Sequence, residues 1–283
     1  MSFEKQLQYL IAEALKEDIG EGDHSTLSTI ETTARGKAVL KIKDDGILAG
    51  VDVAQKIFAF KDPDFNFTLY KNDGEVMVYG EKAFEVEANV HTILQCERLV
   101  LNCMQRMSGI ATLTRTYTDK LKGYRTKLLD TRKTTPNFRL LEKEAVKIGG
   151  GVNHRFGLYD MIMLKDNHID YCGGIEKAIN KAYTYVQQNS LGLKIEVEAR
   201  TLEDVNKIIN NGKVNRIMLD NFTPENLHTA IKIIAGAYET EASGGINYYN
   251  IESYAATGVD YISSGAIIHQ AVSLDLSLKA MQV

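Results

Sequence analysis

The sequence predicts a mixed α/β chain: a small α+β unit with an open sheet, then a parallel sheet or barrel of strand–helix repeats. Three observations carry this. The first 90 residues combine an amphipathic helix with strands whose apolar residues alternate. From "TKLLD" onward, short apolar strands recur ("MIMLK", "KIEVEA", "RIMLD", "YETEAS", "VDYIS"), separated by segments long enough for a helix. The last four end near Glu198, Asp220, Glu241 and Ser263, at intervals of 22, 21 and 22 residues, the length of a compact strand–helix unit.

Phe3, Leu7, Leu10, Ile11, Ala14 and Leu15 share one face at helical spacing, so the chain opens with an amphipathic helix. "GKAVLKIKDDGILAG" and "FEVEANV" alternate as strands covered on one side do, and "KNDGEVMVYG" is a turn feeding a further short strand. A long helical stretch runs from Thr92 to Lys122. Its apolar face is Ile93, Leu94, Leu101 and Met104; Arg98, Asn102 and Gln105 form a polar stripe. Ser108-Gly109 interrupts it and marks the expected boundary, giving domains 1–109 and 110–269.

A net charge of −4 over 283 residues gives no broad basic field, which argues against a nucleic-acid partner. No apolar run approaches the roughly 18 residues of a membrane span. The start, "MSFEKQLQYLIAEALKED", lacks the basic-then-apolar order of a secretory segment. Cys96, Cys103 and Cys172 are odd in number and form no C-x-x-C pair; the first two read as buried helix thiols, and the cytoplasm is the expected compartment. Zinc spacing, a G-x-S-x-G elbow, a P-loop and a G-x-G-x-x-G fingerprint are all absent.

The polar residues gain meaning from position. Arg132 and Lys133 follow "LLD", Lys165 and Asp166 close "MIML", Glu198 closes "IEVEA" and Asp220 closes "IML". Ser243 follows "ETEA", and Ser263-Ser264-Gly265 closes "VDYI". Catalytic groups of (β/α) barrels come from the C-terminal ends of several strands. Six charged or hydroxyl-bearing ends in series, cations first and acids after, describe a mouth built around an anionic substrate. "GGGVNHR" delivers His154 and Arg155 side by side, and the forked guanidinium suits a carboxylate. Lys165 should be buried, and so must pair with Asp166 or meet a ligand. Glu198 and Asp220 suit sugar hydroxyls or a divalent cation, directly or through water, with a salt bridge inside the barrel as the structural alternative. "SGG" at Ser243, Gly244 and Gly245 and "SSGA" from Ser263 follow the last two strands, where glycine-freed N–H groups can cradle phosphate.

With "ERLVLNCMQRMSGIAT", "DTRKTTPNFRLLEKEAVKIGGGVNHR", "KDNHI", "EVEA", "IMLDNFTPE", "EASGGI" and "TGVDYISSGAI" in this order, the chain resembles the quinolinate phosphoribosyltransferases (nicotinate-nucleotide pyrophosphorylases, decarboxylating), of the type II phosphoribosyltransferases. It departs at "PNF", where the family often has Pro-Gly-Leu, and at "ISSGAI", where a residue other than serine usually precedes the glycine. The resemblance implies an N-terminal open-faced α+β sandwich followed by an incomplete (β/α) barrel, with residues 270–283 returning to the first domain. It implies quinolinate and phosphoribosyl pyrophosphate as substrates, Mg²⁺ as cofactor, and a homodimer. Arg132, His154, Arg155 and Lys165 would hold quinolinate, joined by Arg98 of the other subunit. Lys133, Glu198, Asp220, Ser243, Gly244, Gly245, Ser264 and Gly265 would surround the phosphoribosyl group. Lys133, Lys165, Glu198 and Asp220 would serve the chemical step. Two rivals stay open from the residues: a Schiff-base barrel enzyme using Lys165, and a non-catalytic anion-binding relative.

Overall fold

The structure is a computed structural model that describes residues 2–281. It opens with helix α1 (Phe3–Ile19), where the Ser2 hydroxyl accepts the Lys5 N–H and Leu7, Ile11 and Leu15 are buried at the expected spacing. Then come α2 (His24–Thr29), β1 (Arg35–Ile42), β2 (Gly46–Ile47), α3 (Val51–Lys61), β3 (Asn66–Leu69), β4 (Val76–Met77), β5 (Lys82–Asn89) and α4 (Val90–Lys120). Next along the chain are β6 (Lys127–Leu129), α5 (Arg139–Ile148), β7 (Ile162–Leu164), α6 (Asp166–Cys172), α7 (Ile175–Gln188), β8 (Ile195–Ala199) and α8 (Leu202–Asn211). β9 (Arg216–Asp220), α9 (Pro224–Ile234), β10 (Glu239–Ser243), α10 (Ile251–Ala255), β11 (Tyr261–Ser263), α11 (Ala266–His269) and β12 (Leu276–Met281) follow.

The chain divides into two compact units, one holding residues up to 115, 134–150 and from 267 onward, the other 116–133 and 151–266. In the first, an antiparallel sheet runs β12-β1-β5-β3. β12 pairs along β1 from Leu276 opposite Ile42, so the C-terminal segment does return to the N-terminal sheet. Phe58 and Phe84 meet edge to face in its core, centroids 6.3 Å apart. The buried Glu142 carboxylate on α5 accepts two N–H groups of Arg106 at 2.9 and 3.0 Å and the Thr135 N–H at 2.8 Å. Arg106 also donates to the Ile268 and Ala271 carbonyls, at 2.8 and 2.7 Å. This one ion pair gathers three stretches of chain distant in sequence.

One expectation fails here: α4 is not interrupted at Ser108-Gly109. The Ser108 hydroxyl is turned to the Ala49 backbone, accepting its N–H at 3.0 Å. A Cβ on Gly109 would come within 2.0 Å of the Val272 carbonyl oxygen. The small residues serve close packing against neighbouring backbone.

In the second unit six parallel strands run in the order β6-β11-β10-β9-β8-β7. That is chain order closed into a circle and left open between β6 and β7, an incomplete barrel. Beside β6, Val152 donates to the Leu128 carbonyl at 2.8 Å and accepts the Asp130 N–H at 3.1 Å. Among the described residues, no helix is long and apolar enough to cross a membrane.

Candidate active site

The barrel places Arg132, Lys133, His154, Arg155, Lys165, Glu198, Asp220, Ser243, Gly244, Gly245, Ser264 and Gly265 within one compact unit, at or just beyond the strand ends. Because "GVN" pairs against β6, His154 arrives beside Asp130, whose buried carboxylate accepts the His154 N–H at 2.8 Å. Arg155 follows, half-buried, with one guanidinium N–H on the Met161 carbonyl at 3.0 Å. Burial lowers the Arg155 pKa, and the neighbouring Arg132 guanidinium lowers it further. Arg132 stands close enough to disfavour the Arg155 charge, and an anion bound there would relieve it. Lys133 is exposed, its N–H tied to the Thr131 hydroxyl at 3.0 Å.

Near Glu198 the acids converge. Burial and the charges of Asp220 and Asp166 raise the Glu198 pKa, opposed by Lys165 and by an N–H bond from Asp166. Lys165 itself is exposed, correcting the expectation that it is buried: β7 ends at Leu164, and the next residue already caps α6. The Lys165 N–H donates to His168 Nδ1 at 3.1 Å, which explains the spacing in "KDNHI".

The two glycine-bearing loops are tied to their neighbours. Gly244 has φ +96°, and a Cβ there would meet the Asn221 side-chain oxygen at 2.2 Å; Asn221 itself donates its N–H to the Ser243 carbonyl at 2.8 Å. Ser264 donates its hydroxyl to the Ile246 carbonyl at 3.1 Å and its N–H to Leu129 at 3.1 Å. The hydroxyl added by "ISSGAI" thus links the two loops. The other departure is equally explained: Asn137 has φ +61°, which asparagine tolerates nearly as glycine does, in a turn closed by the Phe138 N–H on the Thr135 carbonyl at 3.1 Å. Arg98 belongs to the other unit and is exposed on α4.

Sequence reasoning missed the groups beneath this mouth. His154 Nε2 faces Glu196 at 3.0 Å and Glu241 at 3.1 Å, both carboxylates fully buried. Arg216 reaches Glu241 at 3.3 Å and Glu239 at 3.0 Å, its guanidinium stacked 4.3 Å from the Tyr261 ring centre. The signal was the period of two: Glu196 and Glu241 lie two positions before Glu198 and Ser243, on the same faces of β8 and β10. Burial by itself would lower the His154 pKa, but hydrogen bonding and charge from Glu196 and Glu241 raise it to about 9. Burial and the Glu241 charge lift Glu196 to about 7, while His154 and Ser263 keep Glu241 below the usual carboxylate range against its own burial. The Arg155 backbone N–H lies 2.6 Å from His154 Nδ1, which accepts it only in the neutral ring, so a second proton on the imidazole comes at the expense of this bond. Two buried carboxylates against one Arg216 favour an extra proton on the cluster, whether His154 or Glu196 holds it.

Comparison with known proteins identifies the family and the fold. The family descriptions "Quinolinate phosphoribosyl transferase, N-terminal domain" and "C-terminal domain" match residues 23–108 and 110–279. "Quinolinate phosphoribosyltransferase [decarboxylating] 1b" of Nicotiana tabacum is 43% identical over 96% of this chain and 82% of its own. "Probable nicotinate-nucleotide pyrophosphorylase [carboxylating]" of Bacillus subtilis (strain 168) is 42% identical over 96% of this chain and 93% of its own. The crystal structure of NadC from Streptococcus pyogenes superposes with a TM-score of 0.90 at 40% identity, covering 98% of each chain. On two domain matches spanning nearly the whole sequence, and on relatives this similar over nearly all of it, the chain belongs to the quinolinate phosphoribosyltransferase family.

Proposed function

We propose that the chain transfers the phosphoribosyl group of phosphoribosyl pyrophosphate to quinolinate with loss of CO2, giving nicotinate mononucleotide and pyrophosphate for NAD biosynthesis. The observation that carries this is the charge gathered in the barrel unit: Arg132 lies near enough to Arg155 to lower its pKa, and Asp220 and Asp166 lie near enough to Glu198, with Lys165 beside them, to raise that of Glu198. Quinolinate brings two adjacent carboxylates to the cationic side. Each takes charge-assisted, preferably forked, donors from Arg132 and Arg155, with Lys165 beside them and His154 buried beneath as their support. Arg98 of a second subunit completes that side in a homodimer. Lys133 and the loops at Ser243, Gly244, Gly245, Ser264 and Gly265 receive the phosphates.

The ring nitrogen of quinolinate attacks C1′ of the ribose. The bond from C1′ to the pyrophosphate oxygen breaks, and its electron pair leaves with pyrophosphate. Positive charge develops at C1′ and is met by the carboxylates of Glu198 and Asp220. The bond between ring C2 and its carboxylate then breaks, CO2 departs, and the pair left at C2 takes a proton beside the quaternised nitrogen. Glu198 and Asp220 present hard oxygen donors whose mutual repulsion a divalent cation relieves, so they fit Mg²⁺ directly or through water. When bound, Mg²⁺ offsets the charge of the pyrophosphate. Lys165 is exposed and lacks the desolvation that activates a Schiff-base lysine, which disfavours an aldolase-like reading. The three cysteines are free, and burial raises the Cys96 and Cys103 pKa values to about 12, leaving inert thiols suited to the cytoplasm.

Steady-state kinetics with quinolinate and with nicotinic acid test the reading. Nicotinic acid leaves part of the cation set unpaired, and a charged hydrogen bond is worth about 1.5–3 kcal/mol, so kcat/KM favours quinolinate by about tenfold or more. Equal values for the two acids would refute the assignment.

A further inference from the structure

The interior of this barrel carries charge where packing alone asks for apolar residues. Inward positions of (β/α) barrels are dominated by branched aliphatic side chains. Here Glu196, Glu241 and Arg216 occupy them, all buried; among the described residues neither oxygen of Glu196 nor Oε1 of Glu241 has a donor in hydrogen-bonding geometry, so the carboxylates meet the imidazole through charge at close range. Buried charge is costly, and its replacement by apolar residues is often neutral or stabilising, so stability does not explain its presence. Position does. The two carboxylates converge on one atom, His154 Nε2, from strands that are not neighbours, β8 and β10. The other ring nitrogen accepts the Arg155 N–H, and the His154 N–H is fixed by Asp130. Behind the carboxylates Arg216 bonds Glu241 and stacks on Tyr261, so the base of the column is itself held. His154, Glu196 and Glu241 offer donor atoms of types that also suit a metal ion. The guanidinium already lying 3.3 Å from Glu241 supplies the positive charge that an ion would otherwise bring.

We infer that Glu241 and Glu196, backed by Arg216, are positioning residues for the quinolinate end of the reaction, acting through the His154–Arg155 pair. The column is continuous: Arg216 fixes Glu241, the two carboxylates fix the imidazole, and the imidazole fixes the backbone from which the Arg155 guanidinium reaches the mouth. Neither glutamate touches substrate. This inference rests on the functional reading above.

Calorimetric titration of quinolinate and phosphoribosyl pyrophosphate into wild type, Glu241→Gln, His154→Asn and the double variant tests it. Glu241→Gln keeps the shape but loses the charge. It raises the Kd for quinolinate by about fivefold or more, the scale of a charged hydrogen bond. Phosphoribosyl pyrophosphate binding stays within about twofold, and in the His154→Asn background the Glu241→Gln effect disappears, as required of a residue that acts through another. Glu241→Asp restores part of the quinolinate affinity. Equal weakening of both ligands, or a Glu241→Gln effect that persists undiminished without His154, overturns the inference. If Glu241→Gln does not fold, Glu196→Gln carries the same cycle, since it leaves the Arg216–Glu241 pair intact. Wild-type chain that binds phosphoribosyl pyrophosphate but no quinolinate overturns the functional reading and this inference with it. Wild-type quinolinate binding unaltered in either glutamine variant overturns the inference alone.

Discussion

Arg155 and Asp220 mark the two ends of the mouth, and their chemistry predicts opposite defects. Arg155 is half-buried, and the nearby Arg132 lowers its pKa, so a bound anion would be favoured there. Arg155→Ala should weaken quinolinate by about tenfold or more, the worth of a charged hydrogen bond, and leave phosphoribosyl pyrophosphate nearly untouched. Asp220→Ala should weaken the sugar phosphate or lower kcat while quinolinate binding holds. Titration of each ligand into each variant decides, and the reverse pattern means the mouth is assigned backwards. The cluster below makes a second prediction. The His154 pKa is raised from 6.5 to about 9 and that of Glu196 from 4.5 to about 7, so the folded chain binds protons more tightly than the unfolded one at both groups. The stabilisation from His154 is therefore complete below pH 6.5 and is lost as pH rises towards 9. At about 1.36 kcal/mol per pKa unit, the effect is on the order of 1–3 kcal/mol. Urea melts across that window should show stability falling, and His154→Asn should flatten the slope; an unchanged slope would remove His154 as its source. Glu198 and Asp220 were legible in the sequence because they end strands. Glu196 and Glu241 were not, because an acid inside an apolar strand reads as its solvent face until the sheet is known to close around it.

Two glycines separate local propensity from packing. In an exposed helix Gly→Ala is favourable by about 1 kcal/mol, and propensity alone expects that of Gly109→Ala in α4. The Val272 carbonyl oxygen, 2.0 Å from where that Cβ would lie, reverses the sign. Gly109→Ala should destabilise by about 1–3 kcal/mol, the usual cost of overpacking, read as a lower denaturant midpoint. A stabilised variant would show that α4 and the 272 segment do not pack as described. Gly244→Ala meets both a left-handed φ of +96° and the Asn221 side chain, so it should weaken phosphoribosyl pyrophosphate binding with little effect on quinolinate. The six barrel strands could be read from sequence because each is a short run bounded by polar segments, the last four at a regular interval. The edge strand β3 could not, since its side chains are mostly outside the core and leave no alternation. The supposed break in α4 misled for a related reason: serine and glycine announce a turn only where nothing packs against them.

At the scale of the whole molecule, Arg98 carries the claim that the active unit is a dimer. It lies exposed on α4, separate from the compact unit that holds the rest of the site. Arg98→Ala and Lys165→Ala homodimers should each be nearly inactive. In a mixed dimer the two-fold symmetry segregates the defects, leaving one site with both and one with neither, so co-refolding should restore up to about half the activity per heterodimer. No recovery in heterodimers verified by native mass spectrometry would place Arg98 within its own subunit's chemistry or outside it altogether. The central claim is that decarboxylation is coupled to phosphoribosyl transfer at this barrel mouth. Quinolinate carrying ¹³C in its 2-carboxylate tests it most directly, by mass spectrometry of the released gas and of the nucleotide. The account predicts labelled CO2 and unlabelled nicotinate mononucleotide in equal amounts, and neither without phosphoribosyl pyrophosphate. A nucleotide that retains the label, or labelled CO2 released without the sugar donor, would contradict it.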